Sequence, residues 1–254
     1  GVAPYFRELL RKRLMAKRPE LSDYASWQRQ QYYDDSLAWE TDPLYGWCNK
    51  NRKKDGTPYN IYTDGLKIYT TIDSRMQQYA EEAVEKHVAG YLQPIFDKEK
   101  AKQSTRPFSN QLTQKEVDQI LARSMRQSER YIQMKKYGAS DEEIKKAFNK
   151  PQEMSVFSYH GNIDTVMTPM DSIKYYKSFL RSGFMCMDTQ TGHVKAYVGG
   201  PNYQYFQYDM AGVGRRQVGS TIKPFLYTLA MENGMSPCDL APNVQQTYHV
   251  AGKT

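Results

Sequence analysis

Apolar residues recur along this chain with two periods, and the switches between them mark the elements. Leu66, Ile68, Thr70 and Ile72 alternate with Lys67, Tyr69 and Thr71, the period of two that predicts a strand. Met76, Ala80, Ala83, Val84, His87 and Val88 then share one face at helical spacing, with Asp73 placed to cap the helix. Phe184 to Asp188 and His193 to Val198 predict a hairpin with Gly192 in its loop, and both strands are apolar enough to be covered on both faces. Ile222, Phe225, Leu226, Leu229 and Ala230 repeat with a helical period up to a stop at Gly234. The expected arrangement packs that helix with the hairpin and buries Ile222, Phe225, Leu226 and Leu229.

The remaining stretches are more polar. Residues 1 to about 40 read as helical and charged, with Leu9, Leu10, Leu14 and Met15 as a short apolar face and a second piece from Asp23 toward Trp39. Thr41 to Gly65 is broken by Asp42-Pro43, Lys54-Asp55-Gly56 and Thr57-Pro58, so it reads as a linker or irregular cover. Residues 97 to 150 are rich in Lys and Gln and carry two capping boxes. Thr113 with Glu116 opens a helix that runs through Leu121, Met125 and Ile132 to Gly138, and Ser140 with Glu143 opens one bearing Ile144 and Phe148. Met154 to Tyr159 reads as a strand, and Asp171 to Leu180 as a helix or turn.

Charge changes the picture little. The chain carries a net charge of +7, but its basic residues are spread over the first helix and the polar insert, without a nucleic-acid motif. A juxtamembrane surface, an anionic wall polymer or a solvated face all fit better than nucleic acid. The 3 cysteines and 4 histidines show no zinc spacing, so neither a metal nor a cofactor is expected. Cys186, inside an apolar strand, is expected in the core, and His87 as a packed or surface residue. No run approaches the length of a transmembrane helix. Gly252-Lys253-Thr254 is not the end of a phosphate loop, because Thr247 stands where that loop needs glycine.

The candidate chemistry lies in Arg215-Arg216-Gln217-Val218-Gly219-Ser220-Thr221-Ile222-Lys223-Pro224-Phe225. Ser220 is the only serine followed three residues later by lysine. Gly219 permits a sharp turn into the helix, placing Ser220 and Lys223 one turn apart on the same side. A serine hydroxyl needs a neighbouring base to become a nucleophile, and a lysine serves only when burial and nearby positive charge favour its neutral form. A helix N-terminus adds backbone N–H groups that can face an oxyanion. Pro224 implies that the helix begins at Thr221 or forgoes its first hydrogen bond. A chain of this size holds roughly one Ser-x-x-Lys by chance, so the motif alone also reads as a solvated helix start.

The context is more specific. Gly183 to Gly200, followed by Gly212 to Phe225 with Ser220-Thr221-Ile222-Lys223, resembles the start of the transpeptidase domain of class A (bifunctional) penicillin-binding proteins. Asp64 to Asp73 with Met76-Gln77 resembles the segment preceding that domain, as does Phe157 to Met167 in some members. Val2 to Glu8 resembles the linker after the family's glycosyltransferase domain. The family's Ser-Asp-Asn-type and Lys-Thr-Gly motifs are absent, and Lys253-Thr254 comes too soon after Ser220 to be the third. The chain therefore reads as a fragment.

The resemblance implies an α+β fold, with a helical linker (1–64), a strand–helix segment with its helical insertion (65–182), and a truncated transpeptidase domain of hairpin plus nucleophile helix (183–254). It implies a serine-type D,D-transpeptidase of peptidoglycan synthesis. Ser220 would be the nucleophile and Lys223 its base, stem peptides the substrate and β-lactams the inhibitors. Other cell-wall synthesis proteins are implied as partners, with a location at the extracytoplasmic face of the cell membrane through an N-terminal anchor outside this chain. The fragment itself is expected to be inactive. The competing expectation, from another class, is a non-catalytic scaffold or interaction segment of a cell-wall synthase.

Overall fold

A computed structural model describes residues 1–240 and 243–244 and divides the chain into two compact units, Gly1–Gly214 and Arg215–Thr254. The first unit opens with α1 (Pro4–Leu14), whose leading proline forgoes an N–H that would be unpaired in any first turn. Tyr5 and Leu14 form its buried side. The exposed carbonyls at its end are taken up by the turn-rich stretch: Gly46 N–H donates to Arg13 O at 2.7 Å, and the Asn49 amide to Met15 O and Ala16 O at 3.1 and 2.8 Å. Between them runs α2 (Arg29–Thr41), followed by the single turn α3 (Trp47–Lys50), which buries Cys48. The expected irregular cover is thus the cap of α1.

Residues 66–72 depart from the predicted strand. They have no ladder partner among the described residues, and the segment is tied down only at its end, where Thr71 Oγ1 donates to Val194 O at 2.7 Å and Asp73 N to Lys195 O at 3.0 Å. Alternation records one apolar side, and a strand needs a neighbour as well. Helix α4 (Ser74–His87) is capped as expected, the Asp73 carboxylate accepting from Arg75 and Met76 N–H at 2.9 and 3.1 Å. Its predicted face is covered in part: Val84 is half-buried, whereas Ala83 and His87 are exposed. Gln77, Ala80 and Val88 are buried, whereas Met76 is exposed. A π-turn (Val88–Leu92) leads into α5 (Gln93–Lys100).

The polar insert is helical, with one correction. Both capping boxes form, on α6 (Gln114–Gln127) and α8 (Asp141–Phe148). The first helix stops at Ser128 instead of Gly138. Ser128 is extended (ψ 144°) and its Oγ accepts from Tyr131 N–H, starting the separate helix α7 (Glu129–Lys136). Serine offers the backbone this alternative to a helical bond. Val117, Leu121, Ile144 and Phe148 bury the insert's own apolar side.

Beyond it, β1 (Gln152–Val156) pairs antiparallel with β2 (Ile163–Met167), and α9 (Pro169–Ser178) follows. The hairpin is β3 (Phe184–Met187) with β4 (Val194–Val198), in register Phe184↔Val198 and Cys186↔Ala196, its loop turning at Gly192 with φ +71°. The strands differ in burial. Ala196, Tyr197 and Val198 of β4 are buried, whereas Phe184, Met185 and Met187 of β3 are exposed, against the expectation that both are covered. The reason is one-sided cover: α4 packs on β4, where Ala80, Ala196 and Val198 form a core with Val84 and the half-buried Cys186. A second core is aromatic. Phe157 and Phe206 meet edge to face at 5.1 Å, and Phe179 lies 5.3 and 5.5 Å from them.

The second unit holds a 3₁₀ turn (Gly219–Ile222) continuing into α10 (Lys223–Glu232), closed at Gly234 with φ +90°. The expected burial of Ile222, Phe225, Leu226 and Leu229 is not found. Phe225 is 72% exposed and the other three between 37% and 56%. Apolar side chains surround α10, and the described residues of this unit contain no second helix or strand to cover them. Lys253-Thr254 lies outside the described residues.

Candidate active site

Ser220 sits where glycine makes a turn possible. Gly219 has φ +52°, a conformation that costs other residues about 1–2 kcal/mol. The chain then winds as a 3₁₀ turn, in which residues i and i+3 stand one above the other. Ser220 and Lys223 occupy those positions, and the Lys223 backbone N–H donates to Ser220 O. The two residues singled out in the sequence thus lie one above the other along the backbone of a single turn. The structure also resolves the place of Pro224, which falls in the first turn of α10, where its missing N–H does no harm.

The electrostatic setting is open. Both residues are exposed, and no side-chain hydrogen bond to Ser220 Oγ or Lys223 Nζ occurs among the described residues. At the start of such a turn the first N–H groups, those of Gly219 and Ser220, have no acceptor within it. They are the donors available to a developing oxyanion. Among the described residues no cluster of His, Cys, Asp or Glu could hold a metal ion.

The chain reaches this stretch through a braced turn at the end of the first unit. Asp209 Oδ1 accepts from Ala211 and Gly212 N–H at 2.9 and 3.1 Å, and Oδ2 from Tyr197 Oη at 2.6 Å. The Asp209 carbonyl accepts from Val213 and Gly214 N–H, and Met210 N–H donates to Gly199 O at 2.8 Å. Burial first, and then the Asp209 carboxylate, holds the Tyr197 phenol far above its ordinary pKa. The sequence reading missed Asp209. An aspartate three residues before Gly212, with Gly214 following, is the available signal, since Asp bonds to backbone N–H groups two and three residues on.

Tyr197 is also held from its other side. The fully buried Gln77 accepts from Tyr197 N–H at 2.7 Å and donates to Tyr197 O at 2.9 Å. Gln77 enters the sequence reading only through the Met76-Gln77 resemblance, and hydrophobic periodicity gives a glutamine no place in a core.

The sequence matches two adjoining family models. Residues 103–180 match the penicillin-binding protein middle domain, and residues 182–254, which include Ser220 and Lys223, the penicillin binding protein transpeptidase domain. Among curated proteins, penicillin-binding protein 2D of Bacillus subtilis is 28% identical over 155 residues, covering 59% of this chain and 20% of the relative. Penicillin-binding protein 1A of Aquifex aeolicus is 26% identical over 199 residues (76% of this chain, 26% of the relative). That of Neisseria flavescens is 26% identical over 211 residues (70% and 25%). The chain thus spans about a quarter of the length of these relatives. No solved structure matches it.

Proposed function

The chain belongs to the class A penicillin-binding proteins, and on that footing we propose that Ser220 is the nucleophile of a serine D,D-transpeptidase that cross-links peptidoglycan. The observation that carries this reading is the coincidence of the Ser220–Lys223 turn with a transpeptidase-domain match.

In this mechanism Lys223, in its neutral form, removes the Ser220 Oγ proton as Oγ attacks the carbonyl carbon between the two D-alanines of a stem peptide. The tetrahedral oxyanion is met by the free N–H groups at the head of the 3₁₀ turn. Collapse expels the terminal D-alanine as its amine, which takes up the proton, and leaves an ester on Ser220. An amine of a neighbouring stem then attacks the ester, forming the cross-link and restoring the hydroxyl. A β-lactam enters the same sequence by ring opening and leaves Ser220 as a stable ester. In this reading the protein works at the extracytoplasmic face of the cell membrane, alongside other wall-synthesis proteins.

Desolvation is what makes a lysine a base, and both Ser220 and Lys223 are open to water here. That openness favours a second reading for the 254 residues taken alone, a non-catalytic interaction segment. The experiment is penicillin acylation of the longer protein that contains this sequence. Ser220→Ala should abolish it, and Lys223→Ala should slow it by roughly 10²–10⁴. Undiminished labelling of both variants contradicts the mechanism.

A further inference from the structure

Helix α2 buries no residue. Its inner side is nevertheless satisfied. Tyr24 packs edge to face on Tyr32 at 5.4 Å and donates to Asp35 Oδ2 at 2.8 Å, and Lys50 Nζ lies 4.7 Å from the Trp39 ring and donates to Trp39 O at 2.6 Å. The outer side is not. Tyr33 and Leu37 stand one turn apart on it, and Trp27 and Leu44 lie just beyond its two ends. They are 62%, 50%, 81% and 50% exposed. A surface helix ordinarily turns its apolar residues inward, and a contiguous exposed stripe of large apolar side chains marks an interaction site.

The charge around the stripe says what covers it. Residues 19–46 carry the carboxylates Glu20, Asp23, Asp34, Asp35, Glu40 and Asp42 against a single cation, Arg29, within a chain whose net charge is +7. Among the described residues only Asp42 of these carboxylates is in an ion pair, with Arg13. Asp34 and Glu40 flank Leu37 at helical spacing on the exposed side, where both are exposed. An acidic, apolar-centred face repels an anionic lipid surface and accepts a cationic one.

We propose that the outer face of α2, from Trp27 to Leu44, docks a cationic amphipathic helix of another protein. Its aliphatic stripe packs between Trp27, Tyr33, Leu37 and Leu44, and its lysines or arginines face Asp34 and Glu40. This helix-on-helix mode uses anchors one turn apart, as Tyr33 and Leu37 are. It is independent of Ser220 and of the acyl-transfer chemistry.

The test uses the 254-residue chain and two synthetic amphipathic helices of about five turns, one built of Leu and Lys and the other of Leu and Glu. Binding is read by calorimetry and by the blue shift of Trp27 fluorescence, with Trp27→Phe identifying the signal. The Leu/Lys peptide should bind at least about tenfold more tightly than the Leu/Glu peptide, and more weakly as salt is raised. Tyr33→Ala and Leu37→Ala, at exposed positions that leave the fold intact, should each weaken it by about tenfold, as expected of central anchors. Three outcomes overturn the proposal: no binding or equal binding of both peptides, capture by anionic phosphatidylglycerol vesicles in place of the peptide, or self-association of the chain that Leu37→Ala abolishes. The last would make a second copy the occupant.

Discussion

The side-chain amide of Gln77 bonds both backbone polar groups of Tyr197, accepting its N–H at 2.7 Å and donating to its carbonyl at 2.9 Å across 120 residues of sequence. The pair joins α4 to β4 as a strand neighbour would, and Glu81 Oε1 takes a further bond from the same amide at 2.7 Å. Replacing the amide with a hydrocarbon strands two buried backbone groups, at about 1–3 kcal/mol each. Gln77→Leu should therefore lower the urea midpoint markedly. Gln78→Leu, on the exposed side of the same helix, should leave it nearly unchanged. Equal effects of the two substitutions would contradict this account of the α4–β4 junction.

Two glycines should respond in opposite directions. A methyl group on Gly183 would lie 2.7 Å from Ala211 N and 2.8 Å from Met210 C, both backbone atoms of the braced turn. Gly183→Ala should destabilise the fold and loosen that turn. Gly90 has open space at its Cβ position and lies in a helical turn, so Gly90→Ala should be neutral or stabilising by about 0.4–1 kcal/mol through the unfolded chain. Thermal melts of the two variants check this.

The sequence made the local structure of these regions readable because local chemistry decides it. Asp73, Thr113 with Glu116, Ser140 with Glu143, Gly192, Gly219 and Gly234 all act on their own backbone, and each does what its type predicts. Burial was less readable, because it depends on what lies opposite. The alternation of Leu66 to Ile72 is present without a ladder, and the apolar residues of α10 are present without cover. Gln77 and Asp209 escaped for the complementary reason: their partners, Tyr197 and the turn at 211–214, become neighbours only in the fold. The placement of Ser220 and Lys223 on one turn was legible because three residues of local backbone decide it.

Stability should fall at both ends of the pH scale. The carboxylates of Asp73, Asp188, Glu116 and Glu143 are held below their ordinary range chiefly by backbone N–H donors, those of Met76, Thr191, Thr113 and Ser140. Their folded pKa values lie below the unfolded ones. Their contribution is therefore complete above the ordinary carboxylate range of about 4 and is lost as pH drops through the depressed values. Tyr45 shows the opposite sign. Burial, followed by the charge of Asp35, pushes its phenol up to about 12. Its contribution is complete below the ordinary value of about 10 and is lost as pH rises through the raised one. Urea titrations at intervals across the pH range should show both declines. Tyr45→Phe should remove part of the alkaline one, and an unchanged alkaline limb in that variant would contradict the assignment.

The polar insert should carry stability without chemistry. Ile144 and Phe148 are 0% and 1% exposed, and Phe148→Ala should cost about 3–5 kcal/mol by leaving a cavity. In the longer protein, a well-folded deletion of residues 97–150 should retain penicillin acylation. Loss of acylation in such a deletion would place part of the site within the insert.

Penicillin acylation followed by peptide mapping, on the longer protein and on this 254-residue chain in parallel, tests the central claim most directly. The adduct in the longer protein should sit on Ser220 and disappear in Ser220→Ala. The 254-residue chain, with Ser220 and Lys223 exposed to water, should acylate far more slowly or not at all, because a lysine serves as the base only where it is desolvated. An adduct on any residue other than Ser220 in the longer protein, or fast Ser220-dependent labelling of the 254-residue chain, would contradict the account.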